Sequence, residues 1–316
     1  MANAVLVAVT GPTTDAWLQQ FAAYKAKRDL RFLPDNVGDR ADIAYACAWR
    51  APHSAFAGLP NLKIIFNLGA GVDHLLGDPA LPDVPIVRAV HPDLTMRMTE
   101  YCVLHVLMHH RRQRLYDAQQ RERVWLGHLQ PAASEVTVGI MGLGEIGRDV
   151  ADMLARIGFQ VAGWSRTERK ASGVESFHGT GGLDAFLART EILVCLLPHT
   201  PETEGILNLA LFRKLKRDGA LGGAYLVNGG RGKVQVNEDI AAALDEGALA
   251  GATLDVFPTE PLPPESQLWS HPKVTVTPHN AGDLAPAALL EAVFAQIDAF
   301  ERGEPLRNQV DRRSGY

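Results

Sequence analysis

Short apolar and β-branched runs recur along the chain, separated by longer segments in which apolar and polar positions mix. In the first third, Ala4–Val9, Asp42–Ala46, Lys63–Asn67 and Pro85–Val87 read as strands, with helical patterns between some of them. Residues 95–123 contain neither Gly nor Pro and predict one extended helix, whose later half turns polar from His109. His109 and His110 are adjacent there. On a helix they diverge by about 100°, so they share no ligand face, and a solvated face is expected. A second series follows: Val136–Met141, Gln160–Trp164, Glu191–Leu197, Ala224–Val227, Ala252–Val256 and Val274–Thr277 read as six strands. Helical patterns lie between them, and a last helix is expected at about 286–302. Strands alternating with helices predict an α/β protein with doubly wound parallel sheets.

The chain has 316 residues, room for two domains at roughly 150 residues each. Its 31 Lys+Arg against 36 Asp+Glu give a net charge of −5, so no electrostatic footprint for nucleic acid or an anionic membrane is present. No apolar run reaches the ~18 residues of a membrane span. Met1–Thr10 lacks a basic leader pattern, which makes the cytoplasm the expected location. Cys47, Cys102 and Cys195 are too few and too irregular for a disulfide framework, and Cys195 falls inside an apolar run, as a core residue does. No Cys/His/Asp spacing suggests a metal site.

Candidate chemistry begins where the strand Val136–Met141 runs into Gly142-Leu143-Gly144-Glu145-Ile146-Gly147 and then into a helical pattern. A Gly-x-Gly-x-x-Gly turn between strand and helix is a dinucleotide site: tight turn, close backbone approach to a pyrophosphate, and helix packed on strand. The next strand reads the adenosine ribose. An NAD site places Asp or Glu at its end, whereas this chain has Ser165 and Arg166, followed by Arg169 and Lys170. These cations suit a 2′-phosphate, so NADP is preferred and NAD is the alternative.

Three later strands end in polar side chains. Val227-Asn228-Gly229-Gly230-Arg231-Gly232 places an arginine on a glycine-rich turn, Leu254-Asp255-Val256-Phe257-Pro258-Thr259-Glu260 a carboxylate, and Val276-Thr277-Pro278-His279 a histidine. In this order, and with the earlier Asn67-Leu68-Gly69-Ala70-Gly71-Val72-Asp73-His74, the chain resembles the D-isomer-specific 2-hydroxyacid dehydrogenase family over nearly its whole length. Ser165-Arg166 and Trp49, in Ala48-Trp49-Arg50, are similar to its glyoxylate/hydroxypyruvate reductase A subgroup.

The resemblance implies reduction of a small 2-keto acid, glyoxylate or hydroxypyruvate, to the D-2-hydroxy acid with NADPH. It implies that Arg231 clamps the substrate carboxylate, that His279 donates a proton to the keto oxygen, and that Glu260 holds the imidazole protonated. Leu68, Gly69, Ala70 and Gly71 would bind the carboxylate from the other domain, and Trp49 would wall the pocket. Gly142, Gly144, Glu145, Ile146, Gly147, Ser165, Arg166, Lys170, Leu197, Pro198, Thr203 and Asp255 would border the cofactor.

The architecture implied is a Rossmann-like cofactor domain at 100–285, inserted into a flavodoxin-like substrate domain formed by 1–99 and 286–316. The site would lie in the cleft, and the assembly would be a homodimer. Two rival functions stay open at this point: a reductase for a bulkier 2-keto acid, and a non-catalytic dinucleotide sensor of the same fold.

Overall fold

A computed structural model describes residues 3–11, 14–169, 171, 173–283 and 285–312. The chain divides into two compact units, Met1–Asp93 with Leu284–Tyr316, and Leu94–Asp283.

In the first unit, β1 (Ala4–Val9), β2 (Leu30–Phe32), β3 (Ile43–Trp49), β4 (Ile64–Asn67) and β5 (Ile86–Arg88) form a parallel sheet in the order β2-β1-β3-β4-β5. That is the flavodoxin-like order. β1 is buried throughout, the mark of a strand covered on both faces. One face packs Val5, Val7, Tyr45 and Phe66 against Phe21 and against Leu290, Phe294 and Ile297 of the closing helix Pro286–Glu301. The other face packs Leu6, Ala46 and Ile65 against Phe56, Leu59 and Leu75. The sequence pattern omits β2. It is a three-residue edge strand with a charge at its centre, too short to show a period.

In the second unit, β6 (Thr137–Met141), β7 (Gln160–Ser165), β8 (Glu175–His178), β9 (Ile192–Cys195), β10 (Tyr225–Asn228), β11 (Gly251–Leu254) and β12 (Val274–Val276) pair in parallel in the order β12-β11-β10-β9-β6-β7-β8. The chain winds one way from β6 to β8 and the other way from β9 to β12, so the strand order reverses between β6 and β9. Open α/β sheets bind ligands at such a switch point, beyond the carboxyl ends of the strands. The sheet therefore has seven strands among the described residues rather than the six expected. The extra strand, β8, is a partly exposed edge with the polar sequence Glu-Ser-Phe-His.

The expected long helix is two helices, Pro92–His110 and Gln113–Glu122, parted where Arg112 turns left-handed at φ 56°. The histidine pair is also corrected: both rings are buried. His109 Nε2 lies 3.0 Å from Thr253 Oγ1 and its ring is 4.9 Å from that of Tyr225, while His110 meets Phe159 edge-on at 5.0 Å. The helix is covered on these two sides, and imidazole serves there as an amphipathic core side chain. Cys47, Cys102 and Cys195 are free thiols buried in the interior, and burial pushes each up to about 12.

Burial pushes the His109 imidazole down to about 3, with the charges of His105 and Arg114 acting in the same direction. An unfolded histidine titrates near 6.5. Below that pH the unfolded chain takes up a proton that folded His109 refuses, so stability falls with pH until the folded value is reached. We expect the urea midpoint to drop between about pH 7 and pH 5, and to drop less in His109→Gln. Equal drops in the two proteins would remove His109 as the source.

Candidate active site

The carboxyl ends of the second sheet are in register. Met141 pairs with Cys195, Cys195 with Asn228, Asn228 with Leu254, and Leu254 with Val276. Each turn with candidate chemistry therefore begins at the same edge.

Gly142 leaves β6 at φ +107°, a conformation L side chains rarely adopt, and its N–H donates to Trp164 O at 2.8 Å. A Cβ on Gly147 would stand 2.0 Å from Gly142 O, so only glycine lets the helix Glu145–Ile157 press on the turn. A Cβ on Gly144 would meet nothing within 4 Å. That exposed glycine caps the helix without a side-chain bond, and Glu145 and Ile146 follow in the first turn. Backbone is thus accessible where helix amides have no internal acceptor, which fits a pyrophosphate.

At the end of β7, Ser165 Oγ donates to Thr167 O at 2.8 Å and shapes the turn, on which Arg166 is exposed. Thr200 Oγ1 donates to Glu202 at 2.8 Å and holds that carboxyl below its usual range, with the charge of Arg166 adding to the effect. Arg166 therefore faces the loop that follows β9. In that loop Leu197 is buried, and Thr203 Oγ1 donates to Pro198 O at 2.7 Å. Lys170 lies outside the described residues.

Arg231 stands three residues beyond β10, half-buried, with Nη1 donating to Gly230 O at 2.7 Å. Its turn is set by Asn228, which sequence reading passed over. Asn228 is fully buried, accepts from Gly230 N at 3.0 Å, and donates to Gln235 Oε1 at 2.7 Å. A polar residue closing an apolar strand was the available signal. A Cβ on Gly232 would stand 2.0 Å from Phe257 carbonyl atoms, so the arginine's turn is packed directly on the segment after β11.

Phe257 in turn donates its N–H to Glu260 Oε1 at 3.0 Å, and Glu260 Oε2 lies 2.7 Å from His279 Nδ1. The pair is neither sealed nor freely solvated, with side-chain exposures of 28% and 38%. Asp255 is 1% exposed and accepts from Thr277 Oγ1 at 2.6 Å and from the N–H groups of Asn280 and Ala281 at 3.0 Å each. It braces the turn on which His279 sits. The structure thus joins Glu260, His279 and Asp255 through hydrogen bonds and Arg231 through its packed turn. Among the described residues, no group of three or more His, Cys, Asp or Glu side chains could hold a metal ion.

Trp49 and Leu68–Gly71 belong to the first unit. Asn67 is buried and its Nδ2 donates to Gly69 O at 2.6 Å and Gly71 O at 2.8 Å, which folds the loop back on itself. Leu68 is buried, while Gly69, Ala70 and Gly71 are half-buried. A Cβ on Gly69 would come within 2.7 Å of the Trp49 indole, so the ring lies directly against that glycine.

Residues 103–281 match the family model for the D-isomer specific 2-hydroxyacid dehydrogenase NAD-binding domain. A glyoxylate/hydroxypyruvate reductase A from Yersinia enterocolitica is 41% identical over 285 residues, covering 88% of this chain and 90% of that one. A crystal structure of an NADPH-dependent glyoxylate/hydroxypyruvate reductase from Sinorhizobium meliloti, in complex with NADP and sulfate, is similar with a TM-score of 0.95 and 45% identity, covering 99% of this chain and all of that one. A probable 2-hydroxyacid dehydrogenase from Rhizobium etli, in complex with NADP, HEPES and L(+)-tartaric acid, is similar with a TM-score of 0.93 and 46% identity over 99% of this chain and all of that one. Matched by this family model over more than half its length and by a relative 41% identical over 88% of it, the chain belongs to the D-isomer specific 2-hydroxyacid dehydrogenases.

Proposed function

We propose that the chain reduces glyoxylate or hydroxypyruvate to glycolate or D-glycerate with NADPH. The observation that carries this reading is the Glu260–His279 pair, 2.7 Å apart beyond a parallel sheet whose switch point bears an open glycine turn. The relatives at 41% and 45% identity are reductases of these two acids, and NADP is bound in the S. meliloti and R. etli structures.

Bound NADPH supplies a hydride to the carbonyl carbon. The protein's part is charge and geometry. Glu260 accepts the Nδ1–H of His279, which fixes the ring and leaves Nε2 to hand its proton to the keto oxygen. Arg231 has the planar fork that matches a carboxylate, and in this reading it holds the substrate's acid group and polarises its keto oxygen. We assign further carboxylate contacts to the backbone of Leu68–Gly71, and the wall of the substrate pocket to Trp49. Gly142, Gly144, Glu145, Ile146 and Gly147 receive the pyrophosphate. Ser165 and Arg166 take the 2′-phosphate, Leu197, Pro198 and Thr203 border the cofactor, and Asp255 supports its nicotinamide end. Retention of Arg231, Glu260 and His279 together argues against a purely sensory role.

For assembly, no described helix is long and apolar enough to cross a membrane. After the helix Gln113–Glu122 the backbone runs without helix or strand, and it exposes Trp125 fully and Leu129 at 91%, with Val124 and Leu126 beside them. The arm is tied down by Gln119 Nε2 at 2.8 Å from His128 Nε2. Four exposed apolar side chains within six residues favour association with a partner. A second copy of the chain is the partner we propose, in a homodimer operating in the cytoplasm.

His279→Ala is expected to lower kcat by about 10²- to 10⁴-fold, with cofactor affinity within about threefold of wild type; turnover at the wild-type rate would remove His279 from the mechanism. Arg166→Ala is expected to raise the KM for NADPH about tenfold more than that for NADH, the scale of one charge-assisted bond. Equal effects on the two cofactors would count against a 2′-phosphate contact. In sedimentation, wild type should run as a dimer and a Trp125→Ser/Leu129→Ser variant should shift toward monomer. A monomeric wild type overturns that assembly.

A further inference from the structure

We propose that Tyr101 and Thr277 are positioning residues for proton transfer, fixing the His279 ring through the buried carboxylate of Asp255. This rests on the reading of His279 as the proton donor.

His279 holds φ +55°, a left-handed backbone that a residue with a Cβ adopts at a cost and keeps only where its surroundings over-determine it. The constraint is visible on both sides of the residue. Thr277, two positions before it, and Asn280 and Ala281, just after it, all donate to Asp255, at 2.6, 3.0 and 3.0 Å. Two of these donors are backbone N–H groups that any residue supplies. The third depends on a side chain, and it is the shortest.

Thr277 Oγ1 also lies 2.8 Å from the Tyr101 hydroxyl. A threonine hydroxyl has one proton. That proton is committed to Asp255, so the phenol must donate to Thr277. The direction of the chain is therefore set: Tyr101 O–H to Thr277, Thr277 O–H to the Asp255 carboxylate. Burial, and then the nearby Asp255 charge, push the Tyr101 phenol up, which keeps its proton in place. The tyrosine is itself fixed. Its ring packs against that of His105, tilted by 58° with centroids 4.3 Å apart, and it reaches within 3.8 Å of where a Cβ of Gly229 would stand. Gly229 belongs to the turn that carries Arg231, so one ring braces both turns. Met98, three residues earlier on the same helix, lies against Gly229 and Gly282 in the same way.

The positioning role predicts a loss in kcat with little change in binding. Thr277→Val, nearly isosteric, should lower kcat about tenfold or more, with the KM for glyoxylate and the Kd for NADPH within about threefold of wild type. Thr277→Ser restores the hydroxyl and should return kcat to within about threefold of wild type. Tyr101→Phe should lower kcat about three- to tenfold, and it carries the test if Thr277→Val does not fold. Full kcat in Thr277→Val or, failing its folding, in Tyr101→Phe overturns the proposal, as does a Thr277→Ser enzyme no faster than Thr277→Val. His279→Ala is run alongside. Undiminished turnover there defeats the catalytic reading together with this one, whereas a dead His279→Ala with unaffected Thr277 and Tyr101 variants defeats the positioning role alone.

Discussion

All strands of the second sheet point the same way, and that single constraint decides where chemistry can sit. A parallel sheet buried on both faces has apolar residues along its length, so its functional groups appear where the strands stop. Gly142, Ser165, Arg231, Asp255 and His279 each follow or close a different strand. Residues spread over more than a hundred positions in sequence are thereby delivered to one edge by register, with no need for any of them to be near another in the chain. The turns then need local bracing, and each has it: Asn228 for the arginine, Phe257 N–H for the glutamate, Asp255 for the histidine.

The polarity of those braces is consistent. Asn228 and Asp255 are buried side chains that accept from backbone N–H groups of the turns they support, and Glu260 accepts the N–H of Phe257. Such bonds are expensive to leave unmade, because the surviving group is stranded away from water. The turn conformations are thus coupled to the core, while the side chains of Arg231, Glu260 and His279 stay partly exposed. The first unit braces a loop with the opposite polarity, where Asn67 donates twice to carbonyls of the loop that follows its strand.

Much of this order was readable from the sequence. The glycine turn names itself by its place between strand and helix, whereas the arginine, glutamate and histidine at later strand ends are joined through the resemblance of their order to a known family. What escaped did so for identifiable reasons. β2 and β8 are short edge strands with charged or polar residues, and a period of two has no meaning over three or four positions. The helix break at Arg112 has no Gly or Pro to announce it. His109 and His110 read as polar because imidazole is scored by its nitrogens, yet their rings are used as core surface. Thr277 and Tyr101 bond to partners distant in sequence, so nothing in their immediate neighbourhood distinguishes them, whereas Asn228 bonds within its own turn and shows only as a polar residue closing an apolar strand.

The contact between Gly69 and Trp49 binds two positions twenty residues apart into one unit of change. The indole occupies the volume that any side chain at 69 would need. A larger residue there must evict the ring, and a smaller residue at 49 leaves a hole beside a bare backbone. Change at either position therefore calls for a paired exchange, so the two sites should be inherited together and altered together.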